Sequence, residues 1–184
     1  MKTVFFIRHG ATAGNLERRY IGRTDEELCQ LGVQQVRALQ VPQTDLLFVS
    51  PMIRTRQTAE LLFPGQPQNI VEDLRETDFG LFEAKTADEL ADNAAYRAWV
   101  DANCETPIPG GEAVSDFKAR CVSAFLSAME QVPDGQTAAF VIHGGCIMAI
   151  LEALAEPKRG FYDYHIGNGQ ALAASFNGQT HVLL

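Results

Sequence analysis

Three short segments of this 184-residue chain carry side chains suited to handling a phosphate. Arg8-His9-Gly10 follows an apolar run at residues 4–7, Ser50 to Arg54 follows a second at 46–49, and His143-Gly144-Gly145 follows a third at 138–142. The planar fork of arginine matches two phosphate oxygens at once. A histidine serves as nucleophile if it is neutral and its bare nitrogen faces phosphorus. Phosphoryl transfer needs little more than that, because charge neutralisation and in-line positioning supply most of the catalysis. Gly10 lets the backbone approach a phosphate closely. A carboxyl group must also protonate the leaving oxygen and later take a proton from water. Glu76, Asp78 and Glu83 lie in one stretch, and each is a candidate for that task.

These segments serve one site only if the fold gathers them. Short continuous apolar runs such as VFFI (4–7), LLFV (46–49) and AAFVI (138–142) read as buried strands. Between them lie helical patterns, so the expected architecture is α/β, a three-layer α/β/α sandwich with a mainly parallel central sheet and helices on both faces. In such sheets ligands bind beyond the carboxyl ends of the strands, which is where all three segments stand. Residues 31–39 are expected to be helical, with Val36 and Leu39 near one stripe. So are residues 52–63, with Pro51 at the first helical position. Val114, Phe117, Cys121, Phe125 and Ala128 recur at spacings of three and four, the core-facing stripe of a long helix. Residues 87–100 read as one or two further helices carrying the single Trp99, and a lid-like helical insertion is expected around 84–112. Residues 171–176 and 181–184 are expected to close the sheet around a turn at Asn177-Gly178. The whole of 1–184 is read as one domain.

Composition narrows the partners. The chain has 15 basic and 23 acidic side chains, for a net charge of −8, which argues against a nucleic-acid or anionic-membrane binder. The first 75 residues nevertheless hold nine basic against eight acidic side chains, and eleven of the fifteen basic residues are arginine, a composition compatible with a local anion pocket. Four scattered cysteines without metal-type spacing, and no early apolar stretch long enough for a signal or a span, point to the cytoplasm. A homodimer through an exposed strand is open, and no segment compels it.

FFIRHGAT (5–12), SPMIRTRQTA (50–59), LRETDFGLFEAKT (74–86) and VIHGG (141–145) together resemble the histidine phosphatase superfamily, the phosphoglycerate mutase-like family, with the motifs in the family's order over nearly the whole chain. The resemblance implies a metal-independent phosphomonoester hydrolase without a cofactor, acting through a phosphohistidine on a small phosphorylated metabolite. It assigns His9 as nucleophile, Glu76 (in the L-x-E stretch) as proton donor, and His143 as the second histidine. It places Arg8, Arg54, Asn15 and Gly22 around the phosphate or its substrate-side loop. Arg56 is an alternative to Arg54, and His143 could instead cap a glycine-rich turn from the core. Arg18, Arg19 and Arg23 read as rim charges, Cys146 as a buried helix residue, and His165 and His181 as packing or hydrogen-bonding near the last strands.

Two departures stand out: Ala11 where many members carry Glu, and Ala84 where Gly is common, which is expected to shift that loop slightly. Only 67 positions separate Glu76 from His143, and they contain Lys85, Arg97, Lys118 and Arg120 as the basic residues. A pocket short of cations suits a phosphomonoester better than a phosphoglycerate, which favours phosphatase over mutase. Residues 18–28, 74–90 and 108–120 look most like α-ribazole phosphatases, enzymes of cobalamin assembly, with a broad-specificity sugar-phosphate phosphatase and a mutase-type phosphotransferase as alternatives. Phe79, Phe82, Tyr96 and Trp99 could stack on an aromatic leaving group or simply fill a core.

Overall fold

The computed structural model describes residues 1–176 and 180–182; the expected turn at Asn177-Gly178 and the last two residues lie outside them. The three apolar runs form β1 (Lys2–Arg8), β2 (Leu46–Val49) and β4 (Thr137–Ile142). With β3 (Asn69–Ile70), β5 (Ala155–Glu156), β6 (Ala171–Phe176) and β7 (Thr180–Val182) they make one sheet in the order β3-β2-β4-β1-β6-β7-β5. The half around β4 is parallel, with Ile7 beside Val141 and Val49 beside Val141 on the other flank. β6 runs antiparallel to β1 and β7. Parallel pairing brings Arg8, Val49 and Ile142 to the same edge of the sheet, so the segments that follow them emerge side by side.

Side-chain alternation along the strands loads both faces. Val4, Phe6, Phe48, Phe140 and Ile142 pack under α5 (Val114–Glu130) and α6 (Gly144–Leu154). Phe125 lies 4.9 Å from Phe140 and 5.4 Å from Phe6, ring centroid to centroid. Ile7, Leu47, Val49, Ala139 and Val141 face the other way, against Ala59 and Phe63 at the end of α3 (Ile53–Leu62). α2 (Gln30–Ala38) lies beside α3. The result is the three-layer α/β/α sandwich with a mainly parallel sheet.

A separate aromatic cluster joins Phe82, Leu90, Tyr96, Trp99 and Ile108, with Tyr20 and Phe79 packed against it. Within 84–112 the only α-helix is α4 (Ala94–Asp101), capped by Asn93, and residues 87–92 form turns rather than the expected helix. Asn93 explains the late start, since its side-chain oxygen accepts from the Tyr96 amide and marks the helix boundary. Pro51 likewise stands one residue before the N-cap, Met52, rather than at the first helical position. A short helix the sequence did not announce, α1 (Ala13–Leu16), is set by a reciprocal cap between Thr12 and Asn15.

Candidate active site

His9 leaves the end of β1 and is 4% exposed. Its Nδ1 lies 2.7 Å from the Gly10 carbonyl oxygen. A carbonyl only accepts, so Nδ1 carries the hydrogen and Nε2 presents its lone pair. Burial lowers the His9 pKa first, the Arg54 charge next and Arg8 further, to about 3. The imidazole is therefore neutral and nucleophilic through Nε2 at any ordinary pH. The Gly10 amide donates to Thr58 Oγ1 at 3.1 Å, and the His9 carbonyl accepts from Gly169 and from Asn168 Nδ2, so the turn is held from three sides.

Two guanidinium groups flank this ring. Arg54 is 1% exposed, with Nη1 donating to the Thr24 carbonyl at 2.8 Å and Nη2 to the Gly22 carbonyl at 2.9 Å. Arg8 donates through Nη1 to the Ile166 carbonyl at 2.7 Å, and the same nitrogen lies 3.2 Å from His165 Nε2, which must accept because arginine cannot. The Nε atoms of both arginines are buried without a partner among the described residues, and neither arginine forms an ion pair there. Burial lowers the pKa of each, with Glu76 acting in the opposite direction. A buried and a half-buried cation held against carbonyl oxygens, without carboxylate partners among the described residues, form a site that favours an anion. Arg56, the alternative ligand, is exposed on α3.

His143 ends β4 and precedes α6 as its N-cap residue. Its ring lies edge-on to that of His9, 5.1 Å between centroids. Nε2 is 2.7 Å from Ser50 Oγ, and Nδ1 is buried without a partner. Burial foremost, then Arg54, His9 and Arg8, push its pKa well below the usual histidine value, so this ring too is neutral.

The three carboxyl candidates separate by what they touch. Glu76 lines the cavity beside Arg8 and accepts from the Gly145 amide at 3.0 Å and the Thr77 amide at 2.9 Å. Gly145 is required here, because a Cβ would overlap the Glu76 carboxylate. Glu83 instead accepts from the Gly22 and Thr24 amides, the Thr24 hydroxyl and the Phe79 amide, which ties two loops together behind Arg54. Asp78 accepts from the Gly80 amide and pairs with Arg23 at 3.1 Å.

Gly22 stands behind Arg54. Its amide donates to Glu83 and its carbonyl accepts from Arg54, so it holds the arginine in place. A Cβ at Gly22 would collide with the Thr77 carbonyl, so the approach of these two loops depends on glycine. Asn15 spends Oδ1 on the Thr12 amide and Asn168 Nδ2, which ties it to the His9 turn. Ser50, first residue of the segment after β2, joins the site through its hydroxyl, and His165 and Asn168 join it without a recognisable sequence signal. His165 Nε2 accepts from Arg8 at the end of β1, and the side chain of His181 lies outside the described residues.

Beside Arg8, Glu76 and Gly145 opens a cavity of about 280 Å³ whose walls are mainly apolar: Tyr20, Phe79, Trp99, Ile108, Phe117 and Met148. Lys118 lines it too, but its Nζ is bound to Glu152 at 2.8 Å and sits 4.7 Å above the Phe161 ring. Ala84 adopts φ +59°, the left-handed conformation that suits glycine.

The sequence model described as "Histidine phosphatase superfamily (branch 1)" matches residues 4–184. A relative from Enterobacter sp. (strain 638) named "Probable phosphoglycerate mutase GpmB" is 32% identical over 165 residues, covering 84% of this chain and 76% of its own length. Among solved structures, a phosphoglycerate mutase from Thermus thermophilus superposes with a TM-score of 0.74 at 29% identity, over 97% of this chain and 95% of that one. The α-ribazole phosphatase from Shigella flexneri superposes with a TM-score of 0.86 at 24% identity, over 98% of this chain and 95% of that one. The last of these likenesses is one of fold. Among the described residues no helix is long and apolar enough to cross a membrane.

Proposed function

This chain belongs to the histidine phosphatase superfamily, and from that premise we propose that it hydrolyses a small phosphomonoester through a phosphohistidine at His9. The observation that carries the reading is the neutral His9 beside buried Arg54 and half-buried Arg8, which lack carboxylate partners among the described residues. In the first step Nε2 forms a bond to phosphorus as the ester P–O bond breaks. Arg8 and Arg54 neutralise the phosphoryl oxygens, and His143 hydrogen-bonds to them as charge redistributes. Protonated Glu76 gives its proton to the leaving alcohol oxygen. In the second step a water oxygen attacks phosphorus, Glu76 takes the water proton back, and the P–N bond breaks to release inorganic phosphate. Asn15 completes the phosphate end of the site through its amide. The arginines and His143 supply the positive character this sequence needs.

The leaving group lies in the cavity beside Glu76, under residues 84–112 acting as a lid. Its walls are apolar, Lys118 is paired with Glu152 and Arg8 is taken by the phosphate, so among the lining residues no further cation is left for the carboxylate of a phosphoglycerate. A neutral aromatic leaving group fits better, and α-ribazole 5′-phosphate is the substrate we propose, in a cytoplasmic setting consistent with four free cysteines.

Phosphate release from α-ribazole 5′-phosphate, 3-phosphoglycerate and p-nitrophenyl phosphate, with His9→Ala as blank, tests both levels. A strong preference for the ribazole ester, abolished in the variant, supports the full reading. Equal slow rates on all three, lost in the variant, keep the phosphohistidine mechanism and remove the substrate. Isomerisation of 3-phosphoglycerate stimulated by a bisphosphoglycerate would replace hydrolase by mutase.

A further inference from the structure

The segment from Ser50 to Arg54 contributes more than its arginine. Ser50 is fully buried at the end of β2, and His143 is fully buried at the end of β4. Parallel pairing of these strands brings the two residues together, and Ser50 Oγ lies 2.7 Å from His143 Nε2. The rest of Ser50 is fixed. Its amide donates to the Val141 carbonyl at 3.2 Å, and its carbonyl accepts from Thr55 Oγ1 at 2.8 Å. The hydroxyl is thus delivered to the ring from an immobile backbone.

Hydrogen accounting then sets the direction of the bond. A serine hydroxyl has one hydrogen, and among the described residues the ring nitrogen is the acceptor it meets. If Nε2 carried the proton and donated to Oγ, the hydroxyl hydrogen would be stranded in a buried site and Nδ1 would be a bare lone pair. A bare lone pair repels a phosphoryl oxygen. If instead the hydroxyl donates to Nε2, the single proton of the neutral ring must sit on Nδ1, the buried nitrogen that has no partner within the chain.

We propose that Ser50 is a positioning residue: its hydroxyl donates to His143 Nε2 and so holds the imidazole in the Nδ1–H tautomer, which presents a donor to the transferring phosphoryl group. The proposal rests on the phosphohistidine reading of the site for its catalytic meaning, although the tautomer itself is a property of the free protein. A neutral histidine can stabilise an anion only through the nitrogen that holds its proton, so the choice of tautomer decides whether His143 assists or opposes the reaction. The hydroxyl acts through the ring.

The test is a long-range proton–nitrogen correlation spectrum of protein labelled with nitrogen-15 histidine, without substrate, on wild type, Ser50→Ala and Ser50→Thr. His143→Gln identifies the resonance. The expected wild-type pattern is a protonated Nδ1 and a bare Nε2. In Ser50→Ala the ring shifts toward the Nε2–H form, and kcat on the best ester falls by about tenfold to a hundredfold, the usual effect of losing the outer partner of a site histidine. KM changes by less than about twofold, because the lost interaction strengthens in the transition state. Ser50→Thr keeps a hydroxyl at the same atom and restores both the tautomer and the rate.

A wild-type spectrum with the proton on Nε2 overturns the proposal outright, as does a folded Ser50→Ala that keeps both the Nδ1–H form and full kcat. If Ser50→Ala fails to fold, the wild-type and threonine spectra decide. If the wild type turns over no ester, the phosphatase reading fails, and the substrate-free spectrum still tells whether Ser50 sets the tautomer.

Discussion

Replacing His9 by glutamine should flatten the acid side of the stability curve by a predictable amount. In the folded chain the His9 pKa is lowered to about 3, by burial first and by Arg54 second. In the unfolded chain it returns to about 6.5. Below pH 6.5 the unfolded state therefore binds a proton that the folded state refuses, so stability falls as pH drops from about 6.5 toward 3 and is unaffected above that window. Each pH unit inside the window is worth about 1.4 kcal/mol for this one group. Between pH 7 and 4.5 the wild type should lose about 2.5 kcal/mol more than His9→Gln, whatever the variant's stability at neutral pH. Urea unfolding at half-unit steps of pH, both proteins in the same phosphate-free buffers, gives the difference directly, because every other ionisable residue is common to both. Curves that run parallel from pH 7 to 4.5 would falsify the assignment of a buried, neutral His9.

Other consequences are read from single contacts. Gly145→Ala places a methyl group on the Glu76 carboxylate and removes room for its 3.0 Å amide bond, so kcat should fall by about a hundredfold or more while phosphate still protects the fold against heat. Arg120 uses Nε, Nη1 and Nη2 to hold both Glu112 oxygens and the Asp73, Arg75 and Glu76 carbonyls. Lysine cannot reproduce that fork, so Arg120→Lys should cost about 1–3 kcal/mol by urea titration and slow turnover by loosening the Glu76 segment. Ala84→Gly relieves the left-handed φ of +59° and should stabilise the protein by about 0.5–1 kcal/mol, seen as a raised Tm with unchanged kinetics. Saturating inorganic phosphate at about a hundred times its Kd should add about 2.7 kcal/mol to wild-type stability, an increment that Arg54→Gln should lack.

The amino-acid sequence by itself determined the elements and the edge at which they meet. Runs of adjacent apolar residues at 4–7, 46–49 and 138–142 can be buried only as strands covered on both faces, and the stripe from Val114 to Ala128 only as a helix lying on them. Parallel strands end at one edge, so Arg8, His9, Arg54 and His143 had to converge there. Local signals were weaker where a single cap sets a boundary, as Asn93 does for α4. Tertiary structure alone decided among groups of like chemistry. Glu76, Asp78 and Glu83 are interchangeable as residues, and only the fold sends Gly145 to the first, Arg23 to the second and the Gly22 loop to the third. Gly22 was legible as a loop glycine, but whether its amide faced a phosphate or a glutamate depended on which loop packed against it. Ser50 sits 93 positions from His143, and a hydroxyl becomes a partner for that ring only when two strands are paired in one register. Residue type sets what a group can do; distance, direction and desolvation set what it does, and those are properties of contacts between parts of the chain that sequence separates.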